Sequence, residues 1–200
     1  MLDSIGIGIL IAALSYCLGA ISFAWIISRL RGINILKVGS CNPGFTNVWR
    51  TQGMKIAIFV LIGDMLKGTL SAYIGANLLG DIGLVIASIF VLLGHTFSFM
   101  IHFKGGKGVA TGAGILLFIS PIAFLLCFLT LASLAYFTKY MSIGSITASI
   151  LCPFYLYLTH QSALVVGVFS ICGIFVIWLH RANIRRLMNG TENKIGHKER

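Results

Sequence analysis

Residues 56–79 read IAIFVLIGDMLKGTLSAYIGANLL, and after Gly80-Asp81 residues 82–101 read IGLVIASIFVLLGHTFSFMI. Each run reaches the ~20 residues that a helix needs to cross the hydrocarbon core of a bilayer. Inside lipid every backbone polar group must find its partner within the structure, so such runs form helices. Neither run alternates polar and apolar residues as the strand of a transmembrane barrel does. The pair therefore reads as two membrane helices joined by a very short turn that holds Asp81 and no Lys or Arg.

The same reading extends in both directions along the chain. Ile5–Ile27, Val109–Phe137, Ile146–Leu158 and Ala163–Leu179 are also long and apolar. The 200 residues are 58% hydrophobic and 10% charged, against about 25% charged in soluble domains. Mean hydropathy is +0.96. These values indicate an all-α, polytopic membrane protein, expected as one integral-membrane domain over residues 1–200 with no soluble second domain. The first apolar segment lacks a basic start and a small-residue cleavage pattern, so it is expected to be a retained helix. The net charge of +10 has no soluble basic fold behind it, and no nucleic-acid partner is expected. Cys17, Cys41, Cys127, Cys152 and Cys172 are scattered without a CxxC pair, so neither a zinc site nor a disulfide framework is expected.

Positive charge is grouped. Arg29, Arg31, Lys37, Arg50 and Lys55 flank or fill the segment between the first two apolar runs, and Lys104 and Lys107 follow the third. Lys139 ends the next block, and Arg181, Arg185, Arg186, Lys194, Lys198 and Arg200 lie in the tail. The opposite turns, 80–82 and 159–162, carry only Asp81 and His160. Lys67 alone departs from this scheme. By the positive-inside rule the clusters are cytoplasmic. An even number of passes must then separate Lys107 from Lys139, which requires Val109–Phe137 to be two short or tilted helices broken at Ser120-Pro121. The expectation is seven transmembrane helices with the N-terminus outside and the C-terminus cytoplasmic. The competing reading, one long Pro-kinked helix, would place the basic tail outside.

Four polar constellations fall on the basic face. Gly39-Ser40-Cys41-Asn42-Pro43-Gly44-Phe45-Thr46-Asn47-Val48-Trp49-Arg50 combines small residues, whose N–H groups can form a nest for phosphate oxygens, with side-chain donors and a guanidinium fork. Its spacing resembles a phosphate-binding loop of nucleotide hydrolases. Phe45 replaces the required lysine, however, and a membrane helix precedes it where a strand should. An ordinary interhelical turn is the competing reading. Phe103-Lys104-Gly105-Gly106-Lys107-Gly108-Val109-Ala110-Thr111 opens a helix, where anions bind readily; lysines alone could be topology signals, but those do not require glycines. His180 and Asn183 share one face of the tail helix. Ser142-Ile143-Gly144-Ser145 reads as a helix start, with serine capping as the competing role. Asp64 and Lys67, three apart inside a membrane helix, can pair as a functional site or as a brace. His95 can serve as a helix-packing hydrogen bonder. Donors without carboxylates among them describe a site for an anionic, phosphate-bearing ligand.

At these residues the chain resembles the bacterial acyl-phosphate:glycerol-3-phosphate acyltransferase family, PlsY. Its pattern GSGNxGATNxxR is met by Gly39–Arg50 with Cys41 for Gly and Phe45 for Ala. A second pattern, opening on GH and closing on FKGGKGVAT, is met by Gly94–Thr111 with Ser98 where Pro is usual. A third, HRxNIxRLxxGTExK, is met by His180–Lys194, and Asp64–Gly68 fits DxxKG. The resemblance implies transfer of a fatty acyl group from acyl-phosphate to the 1-position of glycerol 3-phosphate, giving lysophosphatidic acid and phosphate in phospholipid synthesis. It places catalytic roles on Ser40, Thr46, Arg50, Lys107, Ser145, His180 and Asn183, and substrate binding on Gly39, Asn42, Gly44, Asn47, Lys104, Gly105 and Gly106. No metal or other cofactor is expected. The protein is expected as a monomer in the bacterial inner (plasma) membrane, in contact with membrane lipid, its site facing the cytoplasm. Gly at position 41 would take a positive φ more cheaply than Cys does.

Acyl-phosphate is already activated, so positioning and anion stabilisation suffice, and direct attack by the glycerol hydroxyl without an acyl-enzyme is expected. His180 and the departing phosphate are both candidate proton acceptors. On composition alone a transporter for an anionic solute stays open. Transporters, however, place their sites on broken helices near the midplane, and no internal repeat is visible here.

Overall fold

The computed structural model describes residues 3–195. Lys198 and Arg200, assigned above to the cytoplasmic tail cluster, lie outside them. The described residues form helices and no strands: α1 Ser4–Ala20, α2 Phe23–Leu30, α3 Phe45–Gln52, α4 Met54–Thr96, a short 3-10 turn Phe99–Ile101, α5 Val109–Ile119, α6 Pro121–Thr138, α7 Met141–Leu158, α8 Ala163–Leu179 and α9 Arg181–Met188. They divide into two compact units, one ending at Ile119 and one beginning at Ser120.

In the first unit α4 has 43 residues and, if straight, would be about 65 Å long, twice the ~30 Å of hydrocarbon. It folds back instead. Leu79 and Gly80 leave helical geometry, Gly80 at φ 56. The two arms then run antiparallel: the Ser71 hydroxyl donates to Ala87 O at 3.4 Å. A Cβ placed on Gly75 would strike the Gly83 carbonyl, and one on Gly83 the Gly75 carbonyl. Without side chains at these two positions the arms touch backbone to backbone, the usual packing device in lipid. Residues 56–79 and 82–101 thus form a helical hairpin. α1 packs on the second arm, where a Cβ on Gly19 would meet Val91 O and one on Gly94 would meet Tyr16 O. α5 packs on the first arm, with the Thr69 hydroxyl donating to Gly114 O at 2.8 Å.

Val109–Phe137 is broken where expected. Ser120 is extended (φ −154, ψ 98), its hydroxyl accepts from Ala123 N–H, and Pro121 opens α6. A continuous kinked helix is excluded by that geometry. In the second unit α6, α7 and α8 follow one another. Thr130 and Tyr155 hydroxyls lie 2.9 Å apart, and a Cβ on Gly173 would stand 2.8 Å from Ser149 O. α8 and α9 meet at a 53° bend.

Among the described residues four helical stretches are long and apolar enough to cross a membrane: Ser4–Leu30, Met54–Ile101, Pro121–Thr138 and Met141–Leu158, or five with the bent α8–α9 pair. Burial is inverted relative to a soluble domain. Leu66, Ile171 and Ile174 are exposed, whereas Asp64, Lys67, Ser71, Ser88 and Thr111 are buried. Lipid accepts the apolar surface, and Lys67, Ser71 and Ser88 find carbonyl partners inside.

Candidate functional site

The loop between α2 and α3 is held from below by apolar burial and from within by one side chain. Ile35 and Val48 are fully buried with Ala24, Ala57 and Val60, and Leu36, Val38, Phe45 and Trp49 pack around them. Asn47, 1% exposed, accepts the Ser40 N–H at 3.0 Å and donates to Val38 O at 3.1 Å and Ile35 O at 3.4 Å. Asn47 was expected to bind substrate; its amide is instead spent on fastening the loop, which leaves Ser40 and Cys41 exposed at its crest. Gly39 and Cys41 both have φ 57. Position 41 therefore uses the left-handed geometry at which a cysteine is costlier than a glycine. Gly44 begins α3 without any side-chain cap, so the first turn offers its N–H groups and the positive end of the helix dipole. Its N–H donates to Asn42 O at 3.0 Å. Thr46 and Arg50, one turn apart on α3, are both half-buried.

The second loop departs from expectation in a specific way. The N–H groups of Gly105 and Gly106, expected to face an anion, donate to Thr96 O at 2.9 Å and His95 O at 3.1 Å and so cap the end of α4. A Cβ on Gly105 would strike the His95 and Thr96 carbonyls. One on Gly106 would strike the His95 ring and stand 3.1 Å from Pro43 O. Gly105 is required by close approach of backbone to backbone, and Gly106 by the His95 ring. The consequence for the site is that both loops meet at Pro43 and Gly106, with exposed Lys104 and half-buried Lys107 on either side of the junction. Neither Gly39–Arg50 nor Phe103–Thr111 contains an acidic residue. Together they form a cationic, donor-rich surface within the first unit.

Beneath it lies a buried ionic cluster. Lys67 Nζ is 2.9 Å from Asp64 Oδ1 and donates to Gly19 O at 3.0 Å and Ile21 O at 2.8 Å. The ammonium thus sits between a carboxylate and two carbonyls left open at the end of α1. The Ser98 hydroxyl takes the third of those carbonyls, Ala20 O, at 2.5 Å. His95 Nδ1 stands 3.8 Å from Asp64 Oδ1.

In the second unit, Ser142, Asn183 and Arg186 converge on Glu192. Its Oε1 accepts from Ser142 Oγ at 2.9 Å and Asn183 Nδ2 at 2.6 Å, and its Oε2 accepts from Arg186 Nε at 2.7 Å. Burial alone would raise the carboxyl's pKa. The three donors and the guanidinium charge outweigh it and hold the group below its ordinary range. Ile195 N–H reaches Lys139 O at 2.7 Å, so the tail straps back onto the α6–α7 junction. Ser142 and Ser145 do not cap α7: the N-cap position is Tyr140 without a side-chain bond, and Ser145 Oγ donates to Met141 O at 3.0 Å. His180 is buried at the α8–α9 bend with Nδ1 2.8 Å from Val176 O. A carbonyl partner places the proton on Nδ1, so Nε2 is the basic nitrogen.

A glycerol-3-phosphate acyltransferase family model matches residues 9–190. The chain belongs to this family. The glycerol-3-phosphate acyltransferase of Fusobacterium nucleatum subsp. nucleatum is 44% identical over 184 residues, covering 90% of this chain and 94% of the relative. That of Bacillus subtilis (strain 168) is 40% identical, covering 93% and 96%. A crystal structure of PlsY (YgiH), an integral membrane glycerol 3-phosphate acyltransferase in its glycerol 3-phosphate form, superposes with a TM-score of 0.91 at 34% identity, covering 94% of this chain and 96% of that one. Its lysophosphatidic acid form gives 0.89.

Sequence reasoning placed Ser40, Thr46, Arg50, Lys104 and Lys107 on one set of loops, and the first unit joins those loops. It missed Glu192 and Ser142 as the centre of the second cluster. A sign was present: Glu192 is one of five acidic residues in the chain and sits amid basic ones, where a buried carboxylate would find donors.

Proposed function

We propose that the protein is a glycerol-3-phosphate acyltransferase that takes its acyl group from acyl-phosphate and releases lysophosphatidic acid and inorganic phosphate. The observation that carries this reading is the junction of the two carboxylate-free loops at Pro43 and Gly106, with Lys104 and Lys107 flanking Gly106 in the chain and Arg50 on α3, whose start is uncapped. Both substrates present a phosphate, and both phosphates gain charge-assisted hydrogen bonds from such a surface. Relatives named for glycerol-3-phosphate acylation along nearly the whole chain support the same substrate.

In the proposed reaction the 1-hydroxyl of glycerol 3-phosphate attacks the acyl carbonyl carbon. An ester C–O bond forms, the bond from acyl carbon to bridging phosphate oxygen breaks, and the phosphate departs with that electron pair. Arg50, Lys104 and Lys107 neutralise the phosphates, and Ser40 and Thr46 steady the leaving group. The hydroxyl proton goes to the departing phosphate. In the second unit, Ser145, His180 and Asn183 carry the further polar roles that the family resemblance implies, Asn183 held by Glu192. We further propose seven passes (α1, the two arms of α4, α5, α6, α7 and α8), with α5 as the short member. The N-terminus lies outside, and the basic loops and tail face the cytoplasm of a bacterial cell, as the positive-inside rule requires. Both compact units then serve one acyltransferase domain, working as a monomer.

Purified protein supplied with acyl-phosphate and glycerol 3-phosphate is expected to release phosphate and lysophosphatidic acid one for one. Arg50→Ala and Lys107→Ala should each lower turnover at least 100-fold while the helical content is kept. A wild-type protein that releases no phosphate, yet moves the anion across a vesicle membrane, would overturn the proposal in favour of a transporter.

A further inference from the structure

Gly106 is boxed in on two sides. Its N–H is bonded to His95 O, and the space a Cβ would take is filled by the His95 ring, with Nε2 in overlap and Cε1 at 2.9 Å, and by Pro43 O at 3.1 Å. His95 therefore meets this residue through both its backbone and its imidazole. The imidazole is itself 7% exposed, and behind it stand Asp64 and Lys67 at 2% and 4%. Lys67 in turn ties down Gly19 O and Ile21 O, at the break between α1 and α2. His95 thus meets the second loop at Gly106, the point that Pro43 of the first loop also approaches.

We infer that His95, which meets Gly106 through its carbonyl and its ring, is a positioning residue that holds the Lys104–Lys107 loop in register with the Gly39–Gly44 loop. The inference rests on the reading that these loops hold phosphate-bearing substrates. An anion gripped from two loops loses affinity when the spacing between them is free to vary, because the second contact must then be ordered at binding. A core histidine that only fills space within α4 would have no such effect. Its loss would be felt in stability and not selectively in substrate affinity.

The test is a double-mutant cycle in full-length protein in lipid nanodiscs, with KM for glycerol 3-phosphate, kcat and the thermal midpoint read for each variant. His95→Ala frees the loop from its support, and Gly106→Ala pushes the ring and Pro43 away. Each is expected to raise KM at least 10-fold while kcat changes less than threefold, the pattern of lost ground-state binding. In the double variant the new methyl enters space vacated by the ring. KM should then be no worse than in the poorer single variant, in place of the ~100-fold rise expected of independent sites. His95→Gln, which keeps volume and a polar end, should stay within threefold of wild type and also serves should His95→Ala fail to fold. Multiplying effects on KM, or His95 variants that lower only the thermal midpoint, would overturn the inference while the active wild type leaves the proposed function standing. A wild type without turnover would overturn both.

Discussion

Replacing Glu192 by Gln is expected to destabilise the protein by about 3 kcal/mol at neutral pH. The carboxylate accepts three side-chain donors between 2.6 and 2.9 Å. Hydrogen bonds to a charged acceptor contribute ~1.5–3 kcal/mol each and neutral ones ~0.5–1.5. Gln keeps one oxygen, which is best spent on Ser142 and Asn183 because both are buried; each of those bonds then weakens by about 1 kcal/mol. The amide nitrogen is left facing Arg186 Nε, a donor facing a donor. The Arg186 side chain is 36% exposed, so water replaces part of that bond and its loss is held to about 1 kcal/mol. The pH dependence follows from the direction of the Glu192 shift. Its pKa in the fold lies below the ordinary 4.5, so the ionised group stabilises the native state above that value, and the contribution is lost as pH falls through the folded pKa. Unfolding of detergent-solubilised wild type and Glu192→Gln, followed from pH 8 to pH 3, should show a constant gap above pH ~5 that narrows below it. Equal stability at pH 7, or a gap that stays constant down to pH 3, would refute this account of the carboxylate.

Three further outcomes are expected. Lys67→Met leaves Asp64 charged and buried and two carbonyls of the α1 end without donors. It should cost about 3–5 kcal/mol, measured by thermal unfolding, and the Asp64→Asn/Lys67→Met double variant should cost less than the sum of its singles. Cys41→Gly removes a left-handed cysteine at φ 57 and should raise stability by about 1 kcal/mol, seen as a higher unfolding midpoint with unchanged KM for glycerol 3-phosphate. Gly83→Leu should block the close approach of the α4 arms at Gly75 and abolish folded yield, judged by size-exclusion profile in detergent.

Much of the fold was legible because its largest signals are local. The apolar runs, the Gly80 turn and the Ser120-Pro121 break each follow from a few adjacent residues, and each is present. What could not be read were interactions between distant positions. The sequence left Asp64 and Lys67 open between site and brace; only the folded chain brings the ends of α1 to Lys67. Gly105 and Gly106 read as a phosphate nest, and only the proximity of Thr96 and His95 shows that their N–H groups close the end of α4. Asn47 resembles a ligand-binding residue until Ile35, Val38 and Ser40 are found around it. Glu192 was passed over for the same reason, its donors lying up to 50 positions away.

The central claim is direct transfer between two phosphate-bearing molecules held at the same time. Initial rates with acyl-phosphate and glycerol 3-phosphate both varied test it most directly. The account predicts intersecting double-reciprocal lines, the signature of a ternary complex, and no acyl group retained on the protein in a rapid quench. Parallel lines together with an acyl group on Ser40, Cys41 or Ser145 would contradict it.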